Sequence, residues 1–192
     1  ILVAVAMDIK LIIGGSGHIG SELAKRLDKT GQTIVVVDKI RPQYNCLQYV
    51  EIDLAKNPAV IRTLPILLTK LYSNFRIETL IYCASFVGSD NLPGWSVRFE
   101  EQNLDLCQEV SNVGFLALVQ LVQELHVKSL FKADSPVVAL SSIYSKNPVL
   151  PDLYESESVN FYMPLLYGAA KAALNYSIQY LGTVVPGLRF NA

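Results

Sequence analysis

The chain is poor in the residues that build metal centres and disulfide frameworks. Its 192 residues include three cysteines (Cys46, Cys83 and Cys107), far apart and without a CxxC pair, and two isolated histidines, His18 and His126. This sparseness argues against a zinc site or a disulfide scaffold, so no metal is expected, and it fits a reducing, cytoplasmic setting. Charge of either sign is also scarce. Sixteen Lys and Arg face seventeen Asp and Glu, the net charge is −1 and the pI is near 6.1. The basic excess that nucleic acid or an anionic membrane surface would attract is missing, and neither is expected as a partner. No uncharged run is long and apolar enough to cross a bilayer; the longest, 172–188, contains Asn175, Gln179, Gly182, Pro186 and Gly187. The opening ILVAVAM has no basic residue before it and no small-residue cleavage site after it, so it is not read as a signal peptide. Met7 reads as a natural start, with the six residues before it a leader remnant.

What the sequence has is apolar material, 51% of the chain, arranged in alternating strand and helix patterns. Strands are expected at 10–13, 32–38, 47–53, 77–85, 135–142 and 187–191. QTIVVVD (32–38) is β-branched and apolar without alternation, the mark of a strand buried on both faces of a parallel sheet. Helices are expected over 18–30, around 58–73, roughly 98–127 and over 162–182. In the first, Ile19, Leu23, Ala24 and Leu27 share one face, and Gly31 is a natural stop. Within the third, residues 104–125 are apolar nearly all round, as expected of a helix buried on more than one side. Strict alternation of strand and helix predicts an α/β architecture, a doubly wound parallel sheet in three α/β/α layers. With no repeat and no linker, residues 1–192 read as one domain.

The first strand ends in KLIIGGSGHIG, with glycines at 14, 17 and 20. A glycine-rich turn between a strand and a helix allows a tight reversal and close backbone approach to a pyrophosphate, and the helix N-terminus offers unpaired N–H groups to an anion. The turn also joins strands to helices in proteins without ligand. Within it, Ser16, His18 and Ile19 would lie beside the cofactor, although His18 reads first as a turn cap or a solvent-facing residue. Asp38 ends the second strand, 18 residues after Gly20. An acid there accepts hydrogen bonds from ribose hydroxyls and repels a 2′-phosphate, which predicts NAD over NADP; Lys39 and Arg41 follow it and soften that preference. Asp53 and Leu54 end the third strand, where an acid meets the adenine amino group and an apolar neighbour packs on the ring.

Further along, YGAAK sets Tyr167 and Lys171 four apart on one helix face. A lysine beside a tyrosine favours phenolate and lowers the phenol pKa, which suits proton exchange with an alcohol or carbonyl oxygen. LSSIY places Ser141 and Ser142 at the C-terminal end of a strand, the edge where open α/β sheets bind ligands. Trp95, Tyr144, Tyr154 and Tyr162 could line a cleft there, with core or loop packing as the default.

Taken in order, the glycine turn, Asp38, Asp53-Leu54, YCAS (82–85), Asn112, Ser142 and Tyr167-x-x-x-Lys171 resemble the short-chain dehydrogenase/reductase family over nearly the whole chain. The resemblance implies a Rossmann fold and a catalytic set of Asn112, Ser142, Tyr167 and Lys171. Tyr167 would be the general acid/base, Ser142 would steady the substrate oxygen, Lys171 would bind the nicotinamide ribose and tune the tyrosine, and Asn112 would support a relay water. Ala84 is the best match to the family's Asn-Ala-Gly segment beside the cofactor. The implied activity is hydride transfer between NAD(P) and a small alcohol or carbonyl substrate, in a homodimer or homotetramer built on the helix over 98–127 and the tyrosine-bearing helix. The glycine spacing follows the family's extended branch, which includes sugar-nucleotide epimerases and dehydratases, whereas YGAAKAAL follows the compact branch. The segment between Ser142 and Tyr167 suggests a loop over the cleft, and similar inserts occur in members linked to surface-sugar biosynthesis, making a sugar derivative one candidate substrate. An NAD-binding regulatory or scaffold protein without turnover is the alternative. The family continues beyond a strand like LRFN, so the substrate-binding C-terminal part is expected to be missing from this chain.

Overall fold

The computed structural model describes residues 6–45, 48–88, 92–148 and 162–192, with the backbone of 155–156 and 159–160. Cys46, Tyr154, the first five residues and residues 149–154, 157–158 and 161 of the insert between Ser142 and Tyr167 lie outside the described residues. The strands are β1 (Met7–Ile13), β2 (Ile34–Asp38), β3 (Tyr49–Glu51), β4 (Phe75–Tyr82), β5 (Ser135–Ala139), a two-residue hairpin β6 (Glu155–Ser156) and β7 (Val159–Asn160), and β8 (Leu188–Asn191). Six of them form one sheet in the order β3-β2-β1-β4-β5-β8, every pair parallel. The helices are α1 (His18–Asp28), α2 (Leu64–Leu71), α3 (Cys107–Ser111), α4 (Ala117–Val127) and α5 (Leu165–Val184).

The unbroken apolar runs of β1 and β2 explain the layering. Side chains alternate between the two faces of a strand. Ile12, Ile34 and Val36 pack with Ala24 and Leu27 of α1 on one face. Ile9, Leu11, Ile13, Val35 and Val37 pack on the other with Leu64 and Leu68 of α2, Leu118, Leu121 and Leu125 of α4, and Leu174 and Ile178 of α5. Both faces are therefore covered, and this is the expected doubly wound, three-layer Rossmann arrangement. The strand order reverses between β1 and β4, so their C-terminal ends open the crevice where such sheets hold ligands.

Three local expectations are corrected. The helix expected over 98–127 is shorter. Phe99–Glu101 and Leu104–Leu106 are separate 3-10 turns, the second capped by the Asn103 side chain accepting from the Asp105 N–H. Continuous helix starts at Cys107 and carries a π segment, Asn112–Leu116, between α3 and α4. Ile19 is not on the buried face of α1. It sits in the first turn, 56% exposed, while Ala24 carries the contact with the sheet. Residues 58–63 are a 3-10 helix leading into α2, with Pro58 and Pro65 opening the two pieces. Among the described residues, Leu104–Val127 is long and apolar enough to cross a membrane by composition; half of its most apolar 18-residue stretch is buried inside the fold, as in the core helix of a globular domain.

Candidate active site at the carboxyl edge of the sheet

The turn after β1 is shaped by two glycines. Gly14 has φ +79°, a conformation L residues rarely adopt. A Cβ there would stand 2.5 Å from the Ala84 nitrogen and 2.7 Å from its Cα. The turn after β1 thus lies directly against Ala84, just beyond β4. A Cβ on Gly20 would collide with the Gly14 carbonyl oxygen and come within 2.9 Å of the Gly15 Cα. One on Gly17 would meet only the Gly14 oxygen, at 3.4 Å. The turn is therefore closed on its protein side and open at Gly17, the N-cap of α1, which has no side-chain cap and no acid in its first turn. His18 and Ile19 are exposed there. That combination of a close-approach backbone and an uncapped helix N-terminus fits a dinucleotide phosphate.

Asp38 stands beside this turn. Its carboxylate accepts from the Ser16 N–H at 2.9 Å and from the Ile40 N–H at 3.3 Å, and the Ser16 hydroxyl donates to the Ile40 carbonyl at 2.6 Å. The acid at the end of β2 thus fastens the glycine turn as well as presenting a half-exposed carboxylate. The Arg41 guanidinium lies 5.9 Å from the Tyr49 ring centre, and the Tyr49 hydroxyl donates to the Asp38 carbonyl. Asp53 is exposed and its carboxylate accepts from the Ala55 N–H at 3.0 Å, while Leu54 is buried in the main core.

On the other side of the crevice, α5 brings Tyr167 and Lys171 to the segment after β5. Lys171 is 3% exposed, and its ammonium donates to the Leu140 carbonyl at 2.6 Å and lies 5.8 Å from the Tyr167 ring centre. Burial pushes its pKa down to about 8, with the Cys83 thiol opposing that shift; burial in turn pushes Cys83 up to about 11, offset by the Lys171 charge. Ser142 caps the 3-10 turn Ile143–Ser145, its hydroxyl accepting from the Tyr144 N–H at 3.2 Å. The Tyr144 ring meets Tyr167 edge-on at 6.4 Å. The Ser141 hydroxyl is buried without a hydrogen-bond partner among the described residues.

Asn112 begins the π segment and is 1% exposed. Its amide donates to the Ala55 carbonyl and accepts from Gln108, both at 2.6 Å, so its side chain ties the loop after β3 to the helix. The buried Tyr82 hydroxyl donates to the Val113 carbonyl in the same segment, and burial pushes its pKa up. A Cβ on Gly114 would lie 2.7 Å from the Ala170 Cβ, so the π segment and α5 meet almost backbone to backbone. Trp95 is buried against Phe86, Val110, Ala170 and Tyr167, and Tyr162 accepts from Arg98 through its hydroxyl and from Ser96 through its carbonyl.

Two further side chains shape this site without any sequence motif to announce them. Gln102 accepts from the Leu165 N–H, at the start of α5, and donates to the carbonyls of Val97 and Met163. Asn175 donates to the Ser145 hydroxyl at 2.7 Å. Only the four-residue spacing from Lys171 to Asn175 is visible in sequence.

The buried ammonium has a consequence for stability. Lys171 titrates near 8 in the folded chain and near 10.5 unfolded, so between those values the unfolded state binds more protons and stability rises with pH. The cost of charging Lys171 is full below about pH 8 and is gone by about 10.5. Lys171→Met should remove this slope. Urea midpoints should show the variant's advantage over the parent largest at neutral pH and shrinking across that window; a constant difference would refute the assignment.

The class is that of a doubly wound dinucleotide-binding domain with its crevice at the β1/β4 switch point. The sequence matches the NAD dependent epimerase/dehydratase family over residues 10–190, and the chain belongs to that family. Its fold is also that of solved short-chain dehydrogenases. One, from Leptospira borgpetersenii with bound NAD+, superposes with a TM-score of 0.77 at 21% identity, over 97% of this chain and 69% of that one. The ligand-free aldohexose dehydrogenase of Thermoplasma acidophilum gives 0.73 at 16% identity, over 97% and 65%. RhlG of Pseudomonas aeruginosa with NADP gives 0.72 at 20% identity, over 97% and 71%. This chain thus spans about two thirds of their length, and at these identities the likeness is one of fold. No curated protein matches it by sequence.

Proposed function

We propose that this chain is the dinucleotide-binding part of an NAD-dependent oxidoreductase acting on a hydroxyl or carbonyl carbon of a small molecule. The observation that carries this reading is the meeting of Tyr167, buried Lys171 and the Ser142 turn on the far side of the crevice from the glycine turn. Gly14, Ser16, Gly17, His18, Ile19 and Gly20 would hold the pyrophosphate, Asp38 the adenosine ribose, Asp53 and Leu54 the adenine, and Ala84, Tyr167 and Lys171 the nicotinamide end. When bound, the nicotinamide supplies a hydride acceptor or donor. Tyr167 takes the hydroxyl proton as the alcohol carbon is oxidised, or returns it in the reverse direction; Ser142 steadies the same oxygen, and Lys171 keeps positive charge beside the phenol. Asn112 contributes a relay water in this scheme, on top of the anchoring bonds it makes.

The family match favours a second reading, an epimerase or dehydratase on a sugar derivative, in which the same residues serve a transient oxidation. One set of measurements separates the readings. NADH and NADPH are titrated by fluorescence, and the loaded protein is offered alcohols, sugars and nucleotide sugars. Tighter NADH binding and NADH production support the first reading; product without net NADH supports the second. Binding with no product on the panel leaves an NAD-binding protein without turnover, and tighter NADPH binding defeats the Asp38 argument.

We also propose that the protein works in the cytoplasm as a homodimer or homotetramer. The outward face of α5 carries Leu165, Tyr176, Tyr180 and Val184, each 48–71% exposed, and Lys171 is the helix's sole charge and is buried. Sedimentation should read a dimer or larger, and Tyr176→Glu with Tyr180→Glu should shift it to monomer; a monomeric parent at micromolar concentration would overturn this.

A further inference from the structure

We infer that Asn175 is a positioning residue: it fixes the Ser142 turn against the helix that carries Tyr167 and Lys171. The inference rests on the oxidoreductase reading for its effect on turnover, but its geometry stands apart from it. Tyr167, Lys171 and Asn175 repeat at four-residue intervals, which places them on one side of α5. Each meets the segment after β5: Tyr167 through the Tyr144 ring, Lys171 through the Leu140 carbonyl and Asn175 through the Ser145 hydroxyl. The Asn175 link reaches Ser142 itself. The Ser145 hydroxyl, holding Asn175 Nδ2 at 2.7 Å, lies 2.6 Å from the Ser142 carbonyl, which also accepts from the Ser145 N–H at 3.1 Å.

The direction of each bond follows from proton counting. A serine hydroxyl has one proton. The Ser142 carbonyl can only accept, so that proton goes to it, and Ser145 can meet Asn175 only as an acceptor. Asn175 must therefore present its NH2 group. Its carbonyl oxygen is left buried without a partner among the described residues. An unpaired buried acceptor costs stability. An apolar residue at 175 would avoid that cost; what it would lose is the bond to Ser145.

Asn175→Leu keeps the branching and heavy-atom count of the side chain and removes the donor. Hydrogen exchange should rise at least tenfold at the amides of 144–147, which bond to Ser142 and Ile143, and stay unchanged in the last turns of α5. Small displacements of a catalytic group cost up to about 10²-fold in rate, so turnover should fall about tenfold with the cofactor KM unchanged. Ser145→Ala should reproduce both effects, and the double variant should be no worse than either single one. In a Ser142→Ala background Asn175→Leu should cause no further loss of turnover. Unchanged exchange at 144–147, or the same fractional loss in the Ser142→Ala background, overturns the inference. If the parent turns over no substrate on the panel, the oxidoreductase reading fails, and the exchange result alone decides whether Asn175 holds the turn.

Discussion

Tyr167→Phe is expected to lower turnover by about 10²–10⁴, the usual contribution of a positioned acid or base, while leaving cofactor affinity within about twofold. The substitution removes one oxygen and keeps the ring, so the edge contact with Tyr144 and the packing against Trp95 survive. Lys171 keeps its bond to the Leu140 carbonyl. The glycine turn and Asp38, across the crevice, are untouched. A turnover loss with normal nucleotide titration therefore isolates the proton step. Equal loss of binding and turnover would instead make the phenol a structural group. Full turnover would remove Tyr167 from the chemistry, and with it the proposal as stated.

Gly14→Ala is expected to be strongly destabilising. Two costs combine. A φ of +79° is strained for alanine, by about 1–2 kcal/mol. The new Cβ would also press on the nitrogen and Cα of Ala84 and on the carbonyl carbon of Cys83, all within 2.9 Å. These are backbone atoms, held by the Cys83 N–H donating to Ile13 and by the β1–β4 ladder, so no side chain can swing aside. Relief requires the ends of β1 and β4 to separate. We expect about 3 kcal/mol or more in urea melts, with nucleotide binding lost. Gly31→Ala is the control. It has a similar φ of +70° but meets nothing within 4 Å, so it should cost only the strain, about 1 kcal/mol. If the two variants melt alike, the close approach at the switch point is not what holds Gly14.

The parts of the site legible in the sequence are those coded locally. The glycine turn and the β-branched run of β2 show themselves within a few residues, and Tyr167 and Lys171 can be paired because one helix carries both. Ile19 fitted the helical pattern but stands at the uncapped end of α1, where the pattern no longer faces the sheet. Leu104 and Leu106 extended the apolar pattern of the following helix, yet Asn103 caps a separate 3-10 turn there. The π segment leaves no periodic trace. It is visible only in what it permits, the approach of Gly114 to Ala170. Gln102 and Asn175 act on partners 63 and 30 residues away, and no local pattern encodes such pairings.

Gln102 has a consequence for how this scaffold could acquire new specificity. Residues 92–106 and 162–165 reach each other through Gln102 and Ser96, with main-chain groups as their partners. The Ser142 turn is fastened to α5 by a different set, Lys171 and Asn175. The two segments thus reach α5 and the residues leading into it through separate hydrogen bonds. A seam placed at Gln102 would let residues 92–106 be exchanged for those of a relative while the Ser142 turn keeps its hydrogen bonds to α5, provided the incoming segment brings an amide to the start of α5 and an aromatic residue in place of Trp95.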